Sequence, residues 1–423
     1  MRNLLIGIAA TLAATGAARA ETIVIHAGRL ISDAATAASG PSTITVTDGK
    51  IVAISSGLKP AEPGVKLIDL SSKTVLPGLI DSHVHLSGDP GGDYRSEAVD
   101  PDEWGVIVGA KNARLSALAG FTTVRDLGSA QLVGFALRDG TAKGLIPGPR
   151  ILSAGTAISI IGGHGDVSGF RPEVNAVLDG NNTCTGAIQC AARVREASKR
   201  GADVIKITAT GGVLSQQARG LGQHFTDEEM AAIVTTAHGL GLKVAAHAHG
   251  ARGIEGAAKA GVDSIEHGTF ADAAALKIMK TSGSYMVPTL MAFTGIRERL
   301  GKNIYTPTVE AKVRETLKSV GLALKSAREM GVPIAFGTDS GVFEHGRNAQ
   351  EFAQMVELGG LTPAQAIATA TTGAAKLLGI ENEAGRIAPG YSADIIAVTG
   401  DPIANIRTLE KVDFVMVRGR VIE

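Results

Sequence analysis

The rhythm of hydrophobic and polar positions changes twice along the chain. From Glu21 it alternates with a period near two, through TIVIHAGRLI (22–31), STITVTDGKIVAIS (42–55) and KLIDLS (66–71). That period marks half-buried strands, and Asp48-Gly49 between two such runs predicts a hairpin turn. The same rhythm returns at the end, in ADIIAVTGD (393–401) and DFVMVRGRVI (413–422). The middle differs. Short, largely apolar runs at 75–85, 121–127, 150–155, 203–208, 243–248, 262–267, 285–290 and 333–339 alternate with helical patterns. Apolar runs of this length are expected of parallel strands covered on both faces. Helices are predicted from Thr226, where Glu229 completes a capping box, to about Leu240; over 250–260; and from an Asp272 cap to Thr281. Others are predicted near 101–119, 187–200, 309–330 and 348–358. Eight strand-helix units over this length predict an α/β fold, a (β/α)8 TIM barrel at 75–384. The β-rich ends, 21–74 and 385–423, are expected to pair into one small β-sandwich.

The first twenty residues stand apart. Arg2 precedes an apolar run from Leu4 to Ala14, and Ala18-Arg19-Ala20 has the small-x-small form of a cleavage site. A secretory signal peptide is expected over 1–20, because the run is too short to span a bilayer. Cleavage near Ala20 predicts an exported protein, periplasmic or secreted, with no membrane partner, since no later stretch approaches 18 apolar residues. The two cysteines, Cys184 and Cys190, lie close together in NNTCTGAIQC. In an oxidising compartment they are disulfide candidates, with free thiols the alternative. Structural zinc wants four ligands, so two lone cysteines argue against a zinc site there.

Composition adds exclusions. The chain carries 41 basic and 41 acidic residues, and 44% of its 423 residues are hydrophobic. No nucleic-acid partner is expected without a basic excess, and the hydrophobic content is that of a folded chain rather than a disordered one. Glycine is abundant, at 54 residues, as a fold with many tight strand-to-helix turns requires.

The polar residues with chemical capacity gather at strand ends. His83 and His85 form His-x-His, so both imidazoles project to one side of a strand. Lys206 lies near the end of the fourth candidate strand, His247 near the end of the fifth, His267 at the end of the sixth and Asp339 at the end of the eighth. In a (β/α)8 barrel these ends form one mouth, where active sites sit. A lone strand histidine is usually a hydrogen-bonded core residue; six metal-capable groups aimed at one mouth are a metal-site pattern.

DSHVH, VIKI, HAHG, SIEHG and GTDS, in that order, resemble the amidohydrolase superfamily of metal-dependent hydrolases, and GRIAPGYSADIIAVTGDP resembles that family's return to its β-sandwich. GGHGD (162–166) and IKITATGGVLS (205–215) are similar to the imidazolonepropionase-like branch, which includes Xaa-Pro dipeptidases, metallo-carboxypeptidases and ochratoxin-type amidases. The resemblance implies two divalent metal ions, usually zinc, and a homo-oligomer. His83, His85 and Asp339 would hold one ion and His247 and His267 the other, with carboxylated Lys206 bridging them. His249, two residues after His247, is the rival ligand. Asp339 would shuttle the proton while a bridging hydroxide attacks an amide carbonyl, and His164 would contact the substrate or its oxyanion.

These assignments imply a hydrolase of N-acyl amino acids or dipeptides, a small-molecule partner. Arg219, His224, Tyr94 and Arg347 (with Arg95 and His345) are candidates for binding a substrate carboxylate. The 215–224 segment is rich in glycine and glutamine and carries one arginine, closer to the ochratoxin-amidase type than to a strict Xaa-Pro dipeptidase. Strict Xaa-Pro cleavage and cyclic-amide hydrolysis are the alternatives. Lys206 argues against mononuclear relatives, and the complete ligand set argues against a metal-free one.

Overall fold

The computed structural model describes residues 21–91, 99–130, 132–167, 170–215 and 220–423. Both chain ends build one sheet of seven strands. They are β1 Thr22–Leu30, β2 Ser42–Thr47, β3 Lys50–Ser56, β4 Lys66–Pro77, and, after the middle of the chain, β12 Ile395–Val398, β13 Val412–Val417 and β14 Arg420–Val421. Their order is β14-β13-β12-β4-β1-β2-β3. Asp48 and Gly49 both take positive φ, 48° and 74°, as the two-residue hairpin between β2 and β3 requires. The sheet curls on itself: Ile44, Val46 and Ile51 share one apolar cluster with Ile395, Ala397 and Met416, and Lys50 bridges to Ser392. This is the sandwich packing expected of the two ends.

The middle supplies parallel strands: β5 Leu79–Val84, β6 Phe121–Asp126, β7 Arg150–Ser153, β8 Val204–Thr208, β9 Lys243–Ala248, β10 Ser264–His267 and β11 Tyr285–Val287. They form two parallel sheets, β5-β6-β7 and β11-β10-β9-β8. Single parallel bridges continue the order: Ile158 to Ile207 joins β7's extension to β8, Met286 to Ile334 joins β11 to the next segment, and Val84 to Ser340 returns to β5. Every residue of β5, β6, β8 and β10 is buried, so the apolar runs face covered surfaces on both sides.

Four expectations change in detail. The run 75–85 is two strands, because β4 continues to Pro77 before Gly78 turns the chain into β5. A Cβ at Gly78 would lie 2.1 Å from Thr122 Oγ1. The eighth segment, 333–339, is extended but held by single bridges rather than a ladder. Gly337 passes so close to β11 that a Cβ would sit 2.3 Å from Val287 Cγ1. The run 285–290 forms strand only over β11, since the helix Leu290–Arg299 starts at its end. The helix expected over 309–330 is two, Pro307–Thr316 and Leu322–Met330, broken at Gly321 with φ 84°. The capping box at Thr226 and Glu229 and the Asp272 cap form as expected. Among the described residues no helix is long and apolar enough to cross a membrane.

Candidate metal centre

The C-terminal ends of β5, β8, β9 and β10 and of the eighth segment bring the strand-end residues together. Two groups of three donors result, His83 with His85 and Asp339, and His247 with His249 and His267; within each group the candidate ligand atoms lie within 4.8 Å of one another. His83 and His85 extend from β5, and the Nε2 of each lies 3.3 Å from Asp339 Oδ1. His247 Nδ1 and His267 Nε2 face each other at 3.0 Å. Lys206 Nζ lies 3.3 Å from His83 Nε2. Two of these residues stand at positive φ, His267 at 71° and Asp339 at 62°. Non-glycine residues reach that region at a cost and are held there by their surroundings.

The surroundings are polar networks that sequence reasoning missed. His83 Nδ1 donates to Glu266 Oε2 at 2.9 Å, which leaves Nε2 facing the centre. Glu266 also accepts from Arg125 at 2.9 Å, and Arg125 donates to the Ser82 carbonyl and Ser264. Burial alone would raise the Glu266 pKa, but Arg125 and His83 bring it down to about 2. An anion is thus fixed behind the first imidazole. Asp81 accepts from the His83 and Thr338 amides, from the Thr338 hydroxyl and from Asn348, tying β5 to the segment that ends in Asp339. Thr289 Oγ1 holds His267 Nδ1 at 2.6 Å, and Thr269 Oγ1 holds His249 Nδ1 at 2.8 Å. Glu351, buried, accepts from the Leu290 and Met291 amides and so fixes the turn that carries Thr289. One signal was available: a charged residue inside an apolar strand, such as Arg125 in FTTVRDL or Glu266 in SIEHG, needs a buried partner.

These environments make the histidines neutral donors. Desolvation lowers the His83 pKa to about 4, with Lys206 adding to the effect, and lowers His247 and His267 well below their usual value. His85 departs from the set. Burial opposes its charge, yet its hydrogen bond to Asp339 shifts its pKa upward. Burial would raise Asp339, but His83 and His85 hold it far below the ordinary carboxylate range. Desolvation lowers Lys206 to about 8, so the neutral amine is far more accessible near neutrality than in an ordinary lysine. Converging neutral imidazoles, an ionised carboxylate and a depressed amine are a donor set that fits divalent cations.

The other predicted residues fall as follows. His164 stacks against His247 at 4.1 Å between ring centroids, and its Nδ1 contacts Ser215 Oγ at 2.6 Å. His224 lies half-buried beside Gly211 and within electrostatic reach of His164. Arg347 is tied up by Glu298 and Glu344, and His345 is buried against the Gly88 carbonyl and Ser116. Neither is free to meet a carboxylate. Tyr94, Arg95 and Arg219 lie outside the described residues. Cys184 and Cys190 are disulfide-bonded.

The sequence signature of the Amidohydrolase family matches residues 74–422. The chain belongs to the amidohydrolase family. This amidohydrolase is 33% identical to ochratoxinase of Aspergillus niger over 357 residues, covering 80% of this chain and 72% of that one. A Mycobacterium tuberculosis protein without an assigned function is 30% identical over 354 residues, covering 82% and 84% of the two chains. The fold superposes on a crystal structure of a Xaa-Pro dipeptidase with bound methionine at a TM-score of 0.88 and 39% identity, covering 95% of this amidohydrolase and all of that chain. It superposes on A. niger ochratoxinase at 0.83 and 29% identity, with 96% of each chain covered.

Proposed function

We propose that this amidohydrolase holds two divalent cations and cleaves the amide bond of N-acyl amino acids or dipeptides, ochratoxin-like amides among them. One observation carries the binuclear reading: two three-donor groups, buried but for His85, adjoin one another, with the His83 and His267 rings 5.3 Å apart and Lys206 Nζ 3.3 Å from His83 Nε2. His83, His85 and Asp339 would hold one ion, His247 and His267 the other, and Lys206, carboxylated, would join them. His249 is buried and oriented by Thr269 in the second group, and it remains the rival to His247. Two bound cations, zinc on the chemistry of this donor set, would lower the pKa of a shared water and polarise the scissile carbonyl.

The chain's own groups do the rest. Asp339, kept ionised by His83 and His85, accepts the proton as water attacks the carbonyl and passes it to the departing nitrogen. With the Ser215 hydroxyl, 2.6 Å from His164 Nδ1, as the donor of that contact, the ring proton would stand on Nε2, available to the developing oxyanion. Glu266 holds His83 in the tautomer that presents a lone pair. The disulfide and the signal-like first twenty residues support an oxidising, extracytoplasmic site of action.

The purified protein is expected to contain about two divalent metals per chain by elemental analysis. Lys206→Ala is expected to lose most of the metal and nearly all activity; a metal-free preparation with full activity would overturn the reading. A panel of N-acyl amino acids with Xaa-Pro, Xaa-Phe and Xaa-Leu dipeptides sets the substrate class. The likeness to the Xaa-Pro dipeptidase structure favours a second reading, and turnover of Xaa-Pro alone would select it.

A further inference from the structure

The proposed substrates end in a free carboxylate, and the cation that would meet it is absent among the predicted residues the structure describes. Arg347 is saturated by Glu298 and Glu344, and neighbouring Arg299 is paired with Glu344. Lys312 is different. It lies on the helix Pro307–Thr316, whose Val309 and Val313 pack with Phe293, Ile296 and Val213. Val213 belongs to the loop that follows β8, so this helix covers that side of the barrel mouth. Lys312 Nζ donates to the carbonyls of Gly212 and Ser215, at 3.0 and 2.5 Å. The same two residues touch His164: Ser215 binds its Nδ1, and Gly212 lies so close that a Cβ would sit 2.2 Å from that atom.

Lys312 is half-buried and has no carboxylate partner among the described residues. An ammonium has three donors, and two are spent on carbonyls. A partly desolvated cation without a counter-ion is an unfavourable arrangement that an arriving anion relieves.

From this juxtaposition we infer that Lys312 is the specificity residue that receives the substrate's free carboxylate. This rests on the amide-hydrolase reading above. It names the preferred substrate as an N-acyl amino acid with its carboxyl group uncapped.

The test compares N-acetyl-L-phenylalanine with N-acetyl-L-phenylalaninamide in the metal-loaded wild-type protein, Lys312→Met and Lys312→Arg. The wild type is expected to prefer the acid. Lys312→Met is expected to raise KM for the acid by about ten- to hundredfold, the scale of one charge-assisted contact, with kcat little changed and the amide unaffected. The acid-over-amide preference then collapses, and Lys312→Arg restores most of it. Equal losses on both substrates would show that Lys312 only anchors the 212–215 loop, and an unchanged preference would show that another group reads the carboxylate; either overturns the inference. Lys312→Gln replaces the methionine variant if that one does not fold, judged by its thermal unfolding. A wild type that splits neither compound nor any dipeptide overturns the amide-hydrolase reading itself, a separate outcome.

Discussion

At the scale of the residue, the site depends on close approaches that no larger side chain permits. Gly212 is the clearest case, because its α-carbon rests against the His164 ring. Gly212→Ala must push that ring out of place. The expected result is a kcat reduced on the order of a hundredfold, the cost of losing one oxyanion donor, with metal content unchanged. Kinetics alongside elemental analysis of the variant checks both. The same scale explains the candidate ligands at positive φ. His267 and Asp339 accept an unfavourable backbone because Thr289, His83 and His85 fix their side chains from the far side.

At the scale of the element, strand ends supply the candidate metal donors, while an excursion after β11 supplies the cover. That excursion comprises the helices Leu290–Arg299, Pro307–Thr316 and Leu322–Met330. Its periodicity reads as one long helix over 309–330, since apolar spacing continues through the break. Gly321 interrupts it, at φ 84° and with Leu358 Cβ only 2.6 Å from where a Cβ would stand. Gly321→Ala is therefore expected to lower stability by about 1–3 kcal/mol, measured by denaturant unfolding. A variant as stable as the wild type would mean that the two helices can merge without strain.

At the scale of the whole molecule, the buried titratable groups set how the metal-free protein responds to pH. His83, His164, His247, His249, His267 and His345 all have pKa values lowered chiefly by burial. A group depressed on folding stabilises above its unfolded pKa and loses that contribution as pH falls toward its folded value. For these histidines the loss begins near pH 6.5 and runs to about 4 or below. Asp81 and Asp126, raised by burial to about 6, Glu351, raised by burial to about 8, and His85 act in the opposite sense. Glu266 and Asp339, depressed, join the histidines at the acid end. Glu266 and Asp339 act only below about pH 4.5, so between pH 6.5 and pH 5 the six histidines stand against the four opposing groups and acidification gives a net loss. The Tm of chelator-treated protein is expected to fall between pH 6.5 and pH 5, and a Tm that rises over that range would contradict this balance.

Fold class and the strand-end donors were legible in the sequence because both follow local rules. Strand and helix periods reveal the alternation of elements, and His83 with His85, Lys206, His247, His267 and Asp339 each occupy the last turn of a local pattern that barrel geometry sends to one mouth. Glu266, Arg125, Asp81 and Glu351 were not legible as a network. Each pairs with residues far along the chain, and only packing brings those partners within hydrogen-bond distance. Arg347 looked available in the sequence and proved neutralised by Glu298, while Lys312 carried no motif and came to lie over the mouth. A charge's freedom to bind depends on which opposite charges the fold places beside it, and the tertiary structure alone decides that.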